Sequence, residues 1–173
     1  FIKFIIRFFL NLPYFFSQDF TMEEKKANYE FYEARTCHES SLSPSLHGIL
    51  AAELGKLNEA YDFLAYAARL DLDNYNRNTE QGIHSTSAAG VWAGMTFGFG
   101  GLRTDGDMLI LNPTIPEEWQ SYQFRISYAG SLLKVLVTRK EAVIEVIEGD
   151  PIRLNVYGEP IEVTAEGVTI SMR

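Results

Sequence analysis

Apolar residues recur at helical spacing through the first half of the chain and at every second position through the second half, with the change near Gly98. Leu46, Ile49, Leu50 and Leu54 line one face of a segment that Ser43-Pro44 opens and Gly55 closes, with Ser as N-cap and Pro at the first helical position. Ala60, Phe63, Leu64, Ala67 and Leu70 keep the same period in a second segment, which Asn58 is expected to cap and the run from Asp71 to Asn78 to end. The short link between them predicts an αα-hairpin. A third run, from about Thr86 to Phe97, is built of small residues, Ala88, Ala89, Gly90, Ala93 and Gly94, around Trp92 as its one large anchor. Each interior Gly costs about 1 kcal/mol against Ala, so close packing inside a crowded bundle must hold such a helix. Upstream, Tyr29 to Arg35 reads as one short helix after a polar stretch from Met22 to Asn28.

Beyond Gly98 the glycines of FGFGG suit no regular element and read as a flexible exit from the helices. Seven short strands are then expected: Asp107 to Leu111, Tyr122 to Tyr128, Leu132 to Thr138, Ala142 to Ile147, Ile152 to Val156, Pro160 to Val163 and Val168 to Ser171. Seven such strands between Gly, Pro and Asp turns suggest an antiparallel β-sandwich. The organisation is therefore α+β, with a helical part over residues 1–97 and a β part over 98–173. No 34-residue repeat recurs, which argues against a helical solenoid.

The first sixteen residues, FIKFIIRFFLNLPYFF, are intensely apolar. A membrane span needs roughly 20 apolar residues, and this run is interrupted by Lys3, Arg7, Asn11 and Pro13, with no small-residue cleavage site after it. Phe4 and Phe8, with Ile5, Phe9 and Leu12, recur at helical spacing, and the chain starts at Phe1, not Met. The expectation is a core helix of a larger protein, and self-association is expected if that apolar surface is left open. A membrane-tethered accessory protein is the competing reading of the same segment.

Composition narrows the function classes. The 173 residues carry a net charge of −8, which opposes any phosphate backbone and sets nucleic acid aside. The single cysteine, Cys37, forms no internal disulfide, so a reducing compartment and hence the cytosol are expected. His38, His47 and His84 are the only histidines, and none lies in an H-x-x-x-H or Cys-rich cluster, so no metal site is expected. FGFGGLR lacks the Lys-Ser/Thr of a phosphate loop.

Two segments hold candidate chemistry. Gly82-Ile83-His84-Ser85-Thr86-Ser87 precedes the small-residue helix, where unpaired N–H groups and the positive end of the helix dipole favour an anion. Three hydroxyls and an imidazole stand beside them, and Gly82 would let the backbone approach a ligand closely. An ordinary Ser or Thr N-cap beside a histidine fits the same residues, and spacing leaves both readings open. Thr36-Cys37-His38-Glu39-Ser40-Ser41-Leu42-Ser43 also precedes a helix, and its serines suit competing caps as well as a ligand. A hydrolytic triad is a poor fit, since no G-x-S-x-G elbow occurs. Glu39, Asp71, Asp73 and Glu80 are the loop carboxylates available for glycosidic chemistry, and each reads more simply as a solvated charge.

Taken in order, Tyr32-Glu33-Ala34-Arg35-Thr36, His38-Glu39-Ser40-Ser41-Leu42-Ser43, Gly82-Ile83-His84, Gly90-Val91-Trp92, Gly98-Phe99-Gly100-Gly101-Leu102 and Leu111-Asn112-Pro113 resemble the C-terminal part of glycoside hydrolase family 65. The likeness runs over roughly residues 20–138, to Trp119, Phe124 and the Tyr128-Ala129-Gly130 turn. Glu39 stands where the family usually has Asp, Ala34 where it has Pro and Ala89 where it has Gly, while residues 1–16 do not follow the family pattern. The resemblance implies helices of an incomplete (α/α)6 barrel followed by a jelly-roll β-sandwich. It also implies phosphorolysis of an α-glucosidic disaccharide, such as maltose, trehalose or kojibiose, to glucose 1-phosphate and glucose.

Inorganic phosphate is then a co-substrate, no other cofactor is needed, and the partners are disaccharide and phosphate. By resemblance Ser40, Ser41 and His84 bind phosphate, with Thr86 beside them. The catalytic glutamic acid of the family lies upstream of Tyr32, so no catalytic residue is assigned in this chain. A twelve-helix barrel needs on the order of 190 residues, about twice the helical territory here. The isolated chain is therefore expected to lack phosphorolysis. A family 65 hydrolase, and a non-catalytic carbohydrate- or protein-binding module using Trp119, Tyr122 and Tyr128, are the alternatives.

Overall fold

In the computed structural model, residues 13, 16–38, 41–104 and 107–173 are described, and they fall into two compact units, 1–98 and 99–173. The expected helix over residues 1–16 lies almost wholly outside the described residues, as do Glu39 and Ser40. No described helix is long and apolar enough to cross a membrane.

Four α-helices build the first unit: α1 (Met22–Glu33), α2 (Ser43–Glu53), α3 (Leu57–Arg69) and α4 (Ser85–Ala93). Helix α1 absorbs the polar stretch before Tyr29 because Thr21 and Glu24 form a capping box. The Thr21 hydroxyl accepts the Glu24 N–H at 3.2 Å and the Glu24 carboxylate accepts the Thr21 N–H at 2.8 Å. Helix α2 is apolar nearly all round and buried along most of its length. Its N-cap is Leu42, with Ser43 and Pro44 already inside the helix, and no side chain caps it. Helix α3 begins two residues earlier than expected, at Leu57 with Lys56 and not Asn58 as its N-cap, and buries Ala60, Leu64 and Ala67 at i, i+4, i+7 spacing.

An ion pair closes the other side of α1. The Lys25 ammonium, its side chain 5% exposed, donates to Ser17 Oγ at 2.7 Å and to Glu53 Oε1 at 2.6 Å. Breaking such a pair strands a charge in low dielectric. Glu53→Gln keeps an acceptor but removes the charge, so a loss of about 1–2 kcal/mol is expected in urea unfolding. An unchanged midpoint would show that water solvates Lys25.

The small-residue helix packs as its composition requires, but Trp92 is not its anchor. Trp92 is 51% exposed and meets Phe97 edge-on. The glycines do the packing: a Cβ on Gly90 would lie 2.0 Å from Ser45 Oγ, and one on Gly94 would lie 2.7 Å from Leu64 Cδ1. The glycine-rich exit is also not flexible coil. Gly94–Phe99 continues α4 as a π-helical segment.

In the second unit all seven expected strands form: β1 (Ile110–Leu111), β2 (Ser121–Tyr128), β3 (Ser131–Thr138), β4 (Glu141–Glu148), β5 (Ile152–Val156), β6 (Glu159–Val163) and β7 (Val168–Ser171). They make two sheets, ordered β2-β3-β4-β7 and β1-β5-β6. The first is antiparallel throughout, whereas β1 runs parallel to β5. Alternation sends Phe124, Val135 and Ile144, directly opposite one another across three strands, into the core. The β2–β3 hairpin turns on Ala129 and Gly130 and the β5–β6 hairpin on Tyr157 and Gly158, all four at positive φ, the signature of two-residue turns whose twist matches that of the strands. Trp119 sits between Phe99 and Tyr122 with ring centroids 5.0 and 5.6 Å away, so these aromatics serve packing. The Tyr122 hydroxyl lies 2.6 Å from the carbonyl oxygen of Phe99 and 2.8 Å from that of Thr114.

Candidate anion-binding site

The N-cap and first turn of α4 carry His84, Ser85, Thr86 and Ser87, but the hydroxyls take different roles. Ser87 is buried and donates to the Ala67 carbonyl at 2.9 Å, tying α4 to α3. Ser85 and Thr86 are exposed. Gly82 faces open space, and its φ of +115° is what calls for glycine there.

Across from this turn, the loop before α2 brings Ser41 Oγ to 3.1 Å from Thr86 Oγ1. Two residues 45 positions apart thus present paired hydroxyls at a helix N-terminus. Of the four expected site residues, Ser41, His84 and Thr86 lie among the described residues, and Ser40 outside them.

His84 is held by a residue that its sequence neighbourhood does not announce. Asp71, just beyond α3, accepts the His84 backbone N–H at 2.9 Å through Oδ2 and faces ring Nδ1 at 2.5 Å through Oδ1. The ring hydrogen bond, reinforced by the backbone one, lowers the Asp71 carboxyl below its ordinary value. Asp71 is therefore an ionised hydrogen-bond partner and not a merely solvated loop charge. It keeps the proton on Nδ1, leaving Nε2 as the outward edge, 3.3 Å from Asn78 Nδ2. Asp73 is spent on Arg69, which it pairs with at 2.7 Å through both oxygens.

The His38 segment does something else. Glu33, the last residue of α1, accepts from His38 Nε2 at 3.0 Å through one oxygen and meets His47 Nδ1 with the other. His38 Nδ1 lies 3.2 Å from Ser43 Oγ. Burial pushes the Glu33 carboxyl upward, but the hydrogen bonds from the two imidazoles outweigh it and hold the group at about 2. Spacing along the chain hid this cluster, because its members come from a helix end, a loop and the middle of the next helix.

Four α-helices followed by two β-sheets, with paired hydroxyls and a carboxylate-held histidine at a helix N-terminus, make this an α+β chain with one candidate anion site. Residues 9–93 match the glycosyl hydrolase family 65 central catalytic domain, and residues 102–171 match the family's C-terminal domain. Maltose phosphorylase of Bacillus subtilis (strain 168) is 49% identical over 148 residues, covering 86% of this chain and 20% of that protein. An alpha,alpha-trehalose phosphorylase of Thermoanaerobacter brockii is 40% identical, covering 83% of this chain and 19% of that protein. A solved structure assigned as a kojibiose phosphorylase from the human microbiome superposes with a TM-score of 0.89 at 40% identity, over 95% of this chain and 24% of that one. The chain belongs to glycosyl hydrolase family 65. It spans about a fifth of the length of the curated relatives it matches.

Proposed function

We propose that this chain supplies the phosphate-binding wall of an inverting disaccharide phosphorylase acting on an α-glucosidic disaccharide. The observation that carries this reading is His84, clamped by Asp71 at the start of α4, beside the Ser41 and Thr86 hydroxyls. Ser40 completes the set by resemblance. Phosphate is already anionic, so it needs no carboxylate base. An oxygen of phosphate bonds to the anomeric carbon while the glycosidic bond on the opposite face breaks, and a carboxylic acid from outside these residues protonates the leaving oxygen. The names of the relatives, maltose and trehalose phosphorylases, support this reaction class.

His84 acts through Nε2. To donate there while Nδ1–H still donates to Asp71, the ring must be imidazolium, and the Asn78 amide must swing aside. Asp71 then serves as counter-charge and as a clamp on the ring plane. Titration of the full chain with inorganic phosphate, followed by NMR, is expected to shift the Ser41, His84 and Thr86 amides. His84→Gln is expected to abolish the response. Asp71→Asn is expected to weaken it about 10-fold, the scale of one charge-assisted hydrogen bond. Phosphate shifts that avoid these residues, or persist in His84→Gln, would sink the reading.

A further inference from the structure

We propose that Glu33, His38 and His47 form a binding site for a divalent transition ion of the Zn2+ class, separate from the anion site. One ligand atom from each of Glu33, His38 and His47 lies within 4.8 Å of the other two, and the Glu33 carboxylate faces His38 Nε2 and His47 Nδ1. Tetrahedral zinc, with bonds of about 2.0–2.1 Å, sets its ligand atoms roughly 3.3 Å apart, so small side-chain movements close the set around an ion. Two imidazoles and one carboxylate make a recognised zinc donor set, and it leaves a fourth position open for water.

Three further features suit an ion. His38 has the outer partner a ligating imidazole needs: Ser43 Oγ, 3.2 Å from Nδ1, can accept the Nδ1 proton and leave the Nε2 lone pair to the metal. His47 is 1% exposed in the interior of α2, and the Phe63 ring stands 4.9 Å from the His38 ring and 5.9 Å from the His47 ring, giving a fixed, apolar surround. A groove of about 370 Å3, lined by His38, Pro44, Glu59, Asp62, Phe63 and Tyr66, reaches the cluster at His38. The ion would clip the end of α1 to α2 across the loop that carries Ser41, taking the place of the hydrogen bonds that the two imidazoles now make to the carboxylate. A carboxylate bridging two imidazoles by hydrogen bonds alone is the competing account.

The test uses the full chain, stripped with chelator and dialysed against Zn2+, with bound metal counted by elemental analysis. One equivalent is expected, accompanied by a rise in melting temperature that EDTA reverses. His38→Ala and Glu33→Gln are each expected to lower the affinity on the order of 100-fold. Co2+ in place of Zn2+ is expected to give the intense visible bands of a tetrahedral site with nitrogen ligands, a readout that needs no variant to fold. Absence of those bands, no retained Zn2+, or equal affinity in folded variants would overturn the proposal.

Discussion

Gly101→Ala is expected to cost the second unit about 3–5 kcal/mol, most of what a unit of this size has. Gly101 has φ +59°, where an L-residue pays about 1–2 kcal/mol, and a Cβ there would sit 2.4 Å from the Asn112 carbonyl oxygen and 2.8 Å from its Cα. These are backbone atoms, and they cannot retreat. Leu111, the preceding residue, is fully buried and accepts the Tyr157 N–H at 3.2 Å, while Thr114 N–H donates to the Phe99 carbonyl at 2.7 Å. Gly130→Ala is the control, because Gly130 has φ +86° but nothing within 4 Å of its Cβ. That variant pays only for the backbone conformation, about 1–2 kcal/mol. Urea unfolding followed by Trp119 fluorescence compares them, and equal losses in the two variants would show that the collision at Asn112 is relieved.

The β half was readable because period-two alternation and two-residue turns are local properties. Every expected strand appears within about three residues of its place, and Ala129-Gly130 turns where its residues suggest. The parallel β1–β5 pair was not readable, since strand direction depends on a partner more than forty residues away. Among the helices, the Thr21–Glu24 capping box was present in the letters and would have extended the short helix expected from Tyr29 back to Met22. The π-helical segment was hidden, because Gly98 and the glycines after it read as the end of the helix.

The site divides in the same way. A histidine and hydroxyls before a helix suggest an anion from spacing alone, but Asp71 is thirteen residues from His84 and belongs to the end of another helix. Nothing local connects them. Glu33, His38 and His47 are dispersed for the same reason, and the fold gathers them only because α1 and α2 meet across a loop. Ordered resemblance to a family supplied the pairing of Ser41 with the start of α4, which neither periodicity nor spacing contains.

That pairing depends on how closely α2 and α4 approach, and Gly90→Ala is expected to open them. Ala is the better helix former by about 1 kcal/mol, so an exposed site would gain from the change. Here the new Cβ would meet Ser45 Oγ at 2.0 Å and Ser45 Cβ at 2.7 Å. Ser45 is 8% exposed, and its hydroxyl has no hydrogen-bond partner among the described residues, so nothing repays a shift of that side chain. A net loss of about 2–3 kcal/mol is expected, the cost of overpacking less the propensity gain. Ser45→Ala should recover little, because its Cβ still collides. Ser45→Gly should recover most, since it moves the same small volume to the other helix, and a double-mutant cycle over Gly90 and Ser45 measures the coupling directly. Because Ser41 precedes α2 and Thr86 begins α4, separating the helices also pulls the paired hydroxyls apart. Phosphate binding should therefore fall in Gly90→Ala and return with Ser45→Gly. Recovery of stability without recovery of binding would mean that the approach of the two helices does not set the geometry of the anion site.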